Sequence, residues 1–463
     1  GPVYAKRYNR FYDAIHAKYP DIIILASMGI GDVNRHTLDS MKHVQRVDEH
    51  AYKDAYWSMR NFDHFDKYKR GDWDMYVGEY ATNAGVGSGN MQAAISDAIY
   101  VLSMEKNADL VKMSSYAPLL VNEHDVDWPV NLIHFDAARS YARISYYAIK
   151  LLADNKADYN VASTLRVTSD HQEALFSGGI GVGTWDTEAE FKDIKVNGQA
   201  FDPGQWAFPR GVWKVSDSSI AQTAAGAQQL ALLKNHTFDT YTLTLKARRT
   251  GGVNAFMIPF AVLDSNTYLR AHIGSYWNSH CVFESVTKGY EVAGITDQKR
   301  LHPLETGRWY DVKLEVGKDT VKCFLDDTLI MEYTPPQQFY SIVGKAANGD
   351  VIVKAVNGYG RAVLADISLE TGGRHTVVMS TIAAEAGAEN SMEVPVRYVA
   401  ETVVGDLLRG GSMKGDAFKG DASKGVSLKG DPSKGGALKG DSLKVLLPPN
   451  SINVIRIKAI SGR

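Results

Sequence analysis

The sequence has few of the features that mark a membrane, disulfide-rich or nucleic-acid-binding protein. Its 463 residues include only 2 cysteines, and 51 basic and 53 acidic side chains give a formal net charge of −2. No apolar run approaches the roughly 20 residues that cross a bilayer, and no signal peptide is visible near the start. These absences predict no membrane span and no nucleic-acid partner, because a nucleic-acid-binding domain needs a basic face.

The two cysteines, Cys281 and Cys323, lie in segments whose pattern predicts strands. A disulfide and two buried free thiols both fit this placement, and the spacing indicates no zinc site. The redox compartment is therefore open, and no metal or other cofactor is predicted.

What the sequence does contain is enough apolar residues for several cores. The hydrophobic fraction is 44% and the charged fraction 22%, typical of globular proteins. A prior of roughly one domain per 150 residues predicts about three domains. The local pattern changes twice along the chain, and it predicts domains at 1–157, 165–340 and 341–463.

Residues 1–157 alternate helices with strands, which predicts a parallel sheet, either doubly wound or closed into a barrel. The run "DIIILAS" at 21–27 is apolar throughout, as a strand buried on both faces requires. The other predicted elements are strands at 46–52, 74–80 and 109–116 and helices at 4–19, 54–68, 91–106 and 138–153. If the sheet belongs to an eightfold barrel, four strand–helix units are missing, and we then expect this chain to be the C-terminal part of a longer protein.

Residues 165–340 change to short alternating strands separated by turn signals, which predicts a β-sandwich. The clearest strands are 241–249, 308–316, 320–326 and 328–333. Five tryptophans in this zone either pack its core or include a platform that stacks against sugars. They are Trp185, Trp206, Trp213, Trp277 and Trp309.

Residues 341–463 predict a second all-β module. Its strands are expected at 350–357, 361–369, 376–383, 394–404 and 452–460. A Lys-Gly pair recurs every five residues within 414–444, and such a polar, glycine-rich repeat can hardly bury a core. We therefore predict a disordered surface insertion there.

One carboxylate, Glu79, follows the apolar run "MYVG" at the end of a predicted strand. A glycosidase needs two carboxyl groups facing one sugar, and a parallel barrel places such groups at the C-terminal ends of its strands. An ordinary charge at a strand end explains Glu79 equally well on this motif alone. On the preceding strand, alternation places Asp48, His50 and Tyr52 on one side and Glu49 on the other. His50 and Tyr52 are thus predicted to reach a site beside Glu79.

The residues that follow the last predicted strand continue this chemistry. Tyr116, Asn122 and Trp128 supply amide and aromatic groups suited to a ligand rich in hydroxyls. Three consecutive strand ends with such groups favour the catalytic interpretation of Glu79.

Several blocks in the same order resemble the family 51 α-L-arabinofuranosidases. They are "YAKRYNRFYDAIHAKYPDI", "DEHAY", "YVGEYATN", "VKMSSYAPLLVN", "WPVNLIHFD" and "SYYAIKLLA". The resemblance covers about 1–155 and resumes at 340–463, where the module ending "LPPNSINVIRIK" is similar to the C-terminal β-sandwich of that family.

The resemblance implies the C-terminal half of a (β/α)8 barrel and retaining hydrolysis of terminal α-L-arabinofuranosyl groups, without a metal. It assigns Glu79 as the nucleophile and His50 and Tyr52 as residues that contact the sugar; Asn122 and Trp128 are further substrate-binding candidates. The implied partner is arabinoxylan, arabinan or another arabinose-containing saccharide, and the implied location is secreted or periplasmic. A homo-oligomer and an N-terminal half of the barrel are further expected partners.

Two departures from the family pattern matter. The acid/base glutamate of the family lies in a Gly-Asn-Glu motif, which this sequence lacks, and Glu49 and Glu123 are its nearest substitutes. Glu49 is predicted to point away from Glu79. The insertion at 165–340 resembles a concanavalin/laminin-G-type jelly roll, a superfamily that includes carbohydrate-binding modules. The alternatives are a non-catalytic polysaccharide-binding protein and another retaining glycosidase of the same barrel clan.

Overall fold

The fold is mainly β-sheet with few helices in the computed structural model, which describes residues 2–30, 35–163, 166–168, 174–369, 375–407 and 441–459. The chain forms two compact units. The first combines Gly1–Ser169 with Gln337–Arg463, and the second is Asp170–Pro336. Among the described residues, no helix has the length and hydropathy that a bilayer crossing requires.

Four parallel strands lie side by side in the order β1–β2–β3–β4. They are β1 Leu25–Ile30, β2 Arg46–Asp54, β3 Asp74–Ala84 and β4 Val111–Tyr116. The accompanying helices are α1 Pro2–His16, α2 Arg35–Leu38, α3 Trp57–Arg60, α4 Met91–Lys106 and α5 Ile144–Ala153, with a 3₁₀ turn at Phe65–Lys67. Val47, Met75 and Val77 pack with Tyr100 of α4, so one face of the sheet lies against that helix.

Helix α4 confirms the helix predicted at 91–106, whereas the prediction for 21–27 is wrong in two respects. The strand begins only at Leu25, and Ile22 and Ile23 before it are exposed. Strand β1 pairs with β2 alone in the described sheet, so it is an edge strand. Ala26 is buried whereas Leu25 and Ser27 are exposed, so only one face of the strand is covered in the described residues.

The helices predicted at 54–68 and 138–153 are shorter than expected. In the first segment, the Asn61 side chain donates to the carbonyl of Trp57 and ends α3 after one turn. In the second, Ser140–Ala142 pairs as a strand, so α5 begins only at Ile144. Both errors come from hydrogen bonds that a helical pattern of apolar residues does not reveal.

Five short strands follow β4 in the first unit. They are β5 Leu120–Asn122, β6 Ile133–Phe135, β7 Ser140–Ala142, β8 Tyr159–Val161 and β9 Arg166–Thr168. Strands β5, β6 and β7 form a small sheet of their own. Two of the predicted substrate-binding residues lie in this region: Asn122 ends β5, and Trp128 lies in the connection between β5 and β6.

The second unit contains two antiparallel sheets of eight strands each. Its strands are β10 Gly181–Thr184, β11 Thr187–Val196, β12 Gln199–Ala200, β13 Trp206–Arg210, β14 Trp213–Val215, β15 Ser219–Gln222, β16 Gln229–Leu233, β17 Tyr241–Gly252, β18 Phe256–Asp264, β19 Thr267–Gly274, β20 His280–Thr287, β21 Glu291–Gly294, β22 Lys299–Arg300, β23 Tyr310–Val316, β24 Val321–Leu325 and β25 Thr328–Tyr333. Aromatic rings from the two sheets meet in the core. The ring centroids of Phe191 and Phe256 are 6.1 Å apart, and those of Phe283 and Tyr333 are also 6.1 Å apart. The two cysteines are buried free thiols.

Seven further strands complete the first unit. They are β26 Phe339–Lys345, β27 Val351–Asn357, β28 Val363–Leu369, β29 His375–Ala383, β30 Val399–Leu407, β31 Asp441–Leu447 and β32 Ser451–Ala459. They form one sheet in the order β30–β29–β32–β27–β26–β8 and a second in the order β31–β28–β9. Of the Lys-Gly repeat predicted at 414–444, residues 414–440 lie outside the described residues, and 441–444 belong to β31.

Alternation in β27 divides its side chains between two cores. Val353 and Ala355 pack toward the smaller sheet, whereas Ile352 and Val356 pack against α4 and α5. Lys354 lies on the helix side, where its ammonium group is 2.6 Å from both carboxylate oxygens of Glu105 in α4. Burial lowers the pKa of Lys354 and raises the pKa of Glu105. The C-terminal strands thus hold the helices that cover the parallel sheet.

Candidate active site

Strand β2 presents three polar side chains on one face, as its alternation predicts. The Nε2 of His50 lies 3.0 Å from the Asp48 carboxylate, and the Tyr52 hydroxyl donates to Glu79 of β3. Glu49 lies on the opposite face and is 2% exposed. The predicted division of β2 into two faces is therefore confirmed.

Strand β3 runs from Asp74 to Ala84, so Glu79 lies within a strand that extends four residues beyond the predicted range of 74–80. The pairing of β2 with β3 shifts by one residue at Gly78. Glu49 is opposite Val77, but His50 is opposite Glu79 rather than Gly78. This β-bulge reverses the alternation of β3, because one extra residue moves each following side chain to the other face.

The bulge decides which way Glu79 points. Met75 and Val77 are buried in the core, and strict alternation would send Glu79 into the same core. After the bulge it is Tyr80 that joins Val77 in that core. Glu79 consequently lies on the face that carries His50.

Asp48 holds the bulge in place. Its Oδ1 accepts a hydrogen bond from the backbone N–H of Gly78 at 3.0 Å, while Oδ2 is bonded to His50. A Cβ at position 78 would lie 2.1 Å from that Oδ1, so only glycine leaves room for the carboxylate. Asp48 therefore positions both strand β3 and His50, a role that its place in the sequence did not reveal.

Glu79 is a partly exposed carboxylate with partners on one oxygen. Its Oε2 accepts the hydroxyl of Tyr52 and lies 3.4 Å from Nδ1 of His50. The side chain is 42% exposed. The contacts found within the described residues fall on Oε2, and none of them involves Oε1.

Tyr52 links Glu79 to an aromatic wall. Burial, together with the neighbouring Glu79 carboxylate, raises the pKa of Tyr52 well above its ordinary value, so its hydroxyl remains a hydrogen-bond donor. The ring of Trp128 lies 4.8 Å from the Tyr52 ring at an angle of 45°. Trp128 is therefore brought to the predicted site.

Asn122 is not joined to this group. Its side-chain oxygen accepts a hydrogen bond from the backbone of His124 at 3.0 Å, which closes a local turn. Among the contacts of the described residues, Asn122 makes none with Glu79, His50 or Tyr52. A role for Asn122 in substrate binding remains a prediction.

Arg143 and Tyr116 support the candidate site from the side of the protein core. The Arg143 guanidinium donates to the hydroxyl of Tyr116 at 2.8 Å and to the carbonyl of Val130. Burial, followed by the nearby carboxylate of Asp97, raises the pKa of Tyr116. Tyr116 and Tyr52 pack against the same apolar cluster, so Tyr116 supports the ring of Tyr52. No sequence pattern indicates Arg143, because a lone arginine before a helix is usually exposed.

Glu49 and Glu123, the two glutamates that could substitute for the acid/base of the family pattern, have hydrogen-bond partners away from Glu79. Glu49 accepts from His64 Nε2 at 2.6 Å and from the hydroxyl of Tyr68, on the face away from Glu79. Glu123 is 2.7 Å from Nδ1 of His134. Neither glutamate contacts Glu79 in the part of the chain that the structure describes.

Carboxylate, imidazole and phenol groups converge on one face of β2 and β3, and an aromatic ring lies beside them. Within the described ranges, no three His, Cys, Asp or Glu side chains gather into a metal-binding group. The arrangement can hold one carboxylate oxygen by hydrogen bonds and present the other to an electrophilic carbon. That is the chemistry of a carboxylate nucleophile.

Two protein-family models together match most of the chain. The model described as "Alpha-L-arabinofuranosidase C-terminal domain" matches residues 73–451, and "Alpha-L-arabinofuranosidase 1 domain" matches residues 1–70. The nucleophile candidate Glu79 falls within the first match and His50 within the second.

Curated relatives are arabinofuranosidases by name. The extracellular exo-alpha-L-arabinofuranosidase of Streptomyces chartreusis is 30% identical over 425 residues, which cover 86% of this chain and 50% of that protein. Alpha-L-arabinofuranosidase 1 of Arabidopsis thaliana is 34% identical over 167 residues, covering 36% of this chain and 24% of that protein. This chain thus matches at most about half the length of these relatives. The arabinose complex of the Thermotoga maritima α-L-arabinofuranosidase aligns with 99% of this chain and 62% of that chain, at a TM-score of 0.47 and 11% identity.

Proposed function

This chain belongs to the α-L-arabinofuranosidase family, as a C-terminal portion, and we propose that it carries the nucleophile half of the active site of a retaining exo-α-L-arabinofuranosidase. The observation that carries the proposal is the bulge at Gly78. It places the exposed carboxylate of Glu79 beside Tyr52 and His50, against the alternation of its own strand.

In the proposed mechanism, Glu79 Oε1 attacks the anomeric carbon of a terminal arabinofuranosyl group. A bond forms between this oxygen and the carbon, while the bond to the leaving oxygen breaks and that oxygen receives a proton from an acid. Water then displaces Glu79, giving up a proton to the same group acting as base, and the sugar leaves with retained configuration. Hydrogen bonds to Oε2 orient the carboxylate for both steps.

Tyr52 and His50 have different parts in this scheme. Tyr52 donates to Glu79 in the free protein, and its raised pKa maintains that donation at alkaline pH. His50 is fixed by Asp48 and contributes a second ring nitrogen near the carboxylate. Trp128 supplies an apolar wall for the sugar ring, as the sequence suggested.

The acid/base must come from another strand. Retaining enzymes place their two carboxyl groups roughly 5–5.5 Å apart, and the carboxylates around Glu79 are engaged in the structural contacts described above. We propose that the four parallel strands are half of a (β/α)8 barrel whose other strands carry the acid. The exposed side chains of Leu25 and Met113, on edge strands β1 and β4, are what a half barrel would leave uncovered.

Terminal arabinofuranosyl groups of arabinoxylan or arabinan are the proposed substrates, and a secreted or periplasmic location follows from such polymers. The word "extracellular" in the name of the Streptomyces relative supports this location. The second unit, with its two facing antiparallel sheets, is proposed to be a concanavalin/laminin-G-like jelly roll.

The decisive experiment removes the nucleophile and replaces it chemically. In the full-length product of the gene, Glu79→Ala should abolish release of 4-nitrophenol from 4-nitrophenyl α-L-arabinofuranoside. Added azide should restore release, because it can bond to the anomeric carbon from the face that Glu79 vacates and yield the inverted β-azide. Near-normal activity of Glu79→Ala without azide would refute the assignment.

The same assay separates the competing, non-catalytic function. Hydrolysis by the full-length product, but not by residues 1–463 alone, supports a divided active site. If neither form hydrolyses the substrate and both still bind polysaccharide, the chain is a binding protein and the catalytic proposal is wrong.

A further inference from the structure

One tryptophan of the second unit is fully displayed on the surface, while the others are buried or half-buried. Trp277 is 79% exposed, whereas Trp206 is 3% exposed. Trp309 lies between Lys192 and Arg248, at 4.3 Å and 4.6 Å from their charged groups. The sequence could not distinguish a core role from a sugar-binding role for these rings, but their exposure does.

Trp277 lies in a turn whose backbone is unusual. Tyr276, Trp277 and Asn278 have φ angles of 48°, 59° and 58°, three successive left-handed residues between β19 and β20. Residues with a Cβ rarely adopt this conformation even singly, and such strain is typical of functional sites. The conformation directs two neighbouring aromatic side chains, of Tyr276 and Trp277, into solvent.

Two buried asparagines fix the turn. Asn254 accepts the backbone N–H of Trp277 at 3.0 Å and donates to the carbonyl of Trp185 at 3.2 Å. Asn278 donates to the carbonyl of Leu304 at 2.9 Å and accepts its N–H at 3.1 Å. The turn is therefore tied to three neighbouring loops. A ring held in this way loses little conformational freedom when a ligand stacks on it.

The exposed surface around the turn favours a sugar over other ligands. It consists of Trp277, Tyr276 and Val253, too few apolar groups for the roughly 800 Å² that each partner buries in a stable protein complex. A sugar ring has an apolar face and a rim of hydroxyls, which match an indole face flanked by a phenol.

We propose that the turn Ser275–Asn278 is a binding platform for neutral polysaccharide, on which Trp277 stacks against a sugar ring of the chain. The choice of arabinoxylan and arabinan as ligands rests on the proposed function, but the stacking site does not require hydrolysis. The platform would hold the polymer while its side groups are removed.

The test measures binding separately from catalysis. Chains carrying Glu79→Gln, so that the polymer stays intact, are run in native gels cast with wheat arabinoxylan or sugar-beet arabinan. Trp277→Ala should weaken the retardation, with a loss of affinity of roughly tenfold or more. The matched control is Tyr290→Ala, which removes a 70% exposed aromatic ring at the other end of β20 and should leave retardation unchanged.

A second variant tests whether the strained backbone at Trp277 is kept for binding at a cost in stability. Glycine adopts left-handed φ without a steric cost, so Trp277→Gly should raise the thermal unfolding midpoint while it abolishes retardation. The proposal is overturned if neither polymer retards the unmodified platform, or if Trp277→Ala and Tyr290→Ala behave alike. Retardation that depends on Trp277 supports it even if the full-length protein hydrolyses nothing.

Discussion

Two clusters of the same three residue types lie on opposite faces of strand β2. In the buried cluster, Glu49 accepts hydrogen bonds from His64 and Tyr68, and apolar residues such as Phe65 enclose all three. Both carboxylate oxygens of Glu49 have a partner inside the cluster, as burial requires. A glutamate in this setting stabilises the fold and has no oxygen available for a ligand.

The exposed cluster contains Glu79, His50 and Tyr52. It has a tyrosine donor and a histidine close to the carboxylate, but both contacts fall on one oxygen and the side chain is partly open to solvent. The comparison shows that residue type alone does not distinguish the proposed catalytic glutamate from a structural one. What separates them is which face of the strand the glutamate occupies, and the bulge at Gly78 decides that.

The largest expected effect comes from making the same substitution, Glu→Gln, in each of the two glutamates. Glu79→Gln should lower kcat by about 10⁴-fold or more with an unchanged unfolding midpoint, because the nucleophile is lost but no buried contact is. Glu49→Gln should leave kcat per folded molecule unchanged and lower the free energy of unfolding by about 2 kcal/mol, since a buried donor then faces an amide N–H. Urea unfolding and 4-nitrophenyl arabinoside hydrolysis, both measured on the full-length product of the gene as for the variants below, report the two effects; equal loss of activity in both variants would contradict the comparison.

The next prediction removes the bulge itself. Gly78→Ala places a Cβ against Asp48 and should displace the exposed cluster, lowering kcat/KM by about 100-fold. Gly71→Ala is the matched control, because a Cβ there meets no atom within 4 Å. Full activity of Gly78→Ala would show that the bulge does not orient the nucleophile.

A smaller effect is expected from the two tyrosines. Tyr52→Phe keeps the ring against Trp128 but loses the hydrogen bond to Glu79, so kcat/KM should fall roughly 10- to 100-fold. Tyr68→Phe removes the corresponding bond of the buried cluster and should reduce stability without changing kcat/KM. Steady-state kinetics of both variants, with circular dichroism melts, would expose a reversed pattern.

The smallest effect appears at alkaline pH. Burial raises the pKa of Tyr116 above the ordinary value of 10.0, so the neutral phenol is favoured in the folded state. Its contribution to stability is complete below pH 10 and is lost as pH rises, at about 1.4 kcal/mol per pH unit, because only the unfolded chain ionises there. Urea midpoints between pH 9 and 11 should fall less steeply in Tyr116→Phe than in the unmodified chain; an identical slope would contradict the assignment.

Much of the local structure could be predicted from the sequence. Helix α4, most of whose residues are buried and whose first turn is capped by the Asn90 side chain, coincides with the predicted range. The faces of β2 were also predictable, because alternation needs no information from distant residues. The failures at 21–27 and 54–68 have another cause: sheet order and the side-chain bond of Asn61 overrode an apolar pattern that fitted a longer element.

The sequence by itself determined which chemistry was available: a carboxylate at position 79, and His50 and Tyr52 on one face of the neighbouring strand. Only the tertiary structure decided how these groups are used. The Asp48 carboxylate accepts a hydrogen bond from the N–H of Gly78 at the bulge that turns Glu79 away from the core. Hydrogen bonds between loops hold the turn that exposes the Trp277 ring. Alternation is a local property of the chain, whereas bulges and exposure depend on residues far apart in sequence.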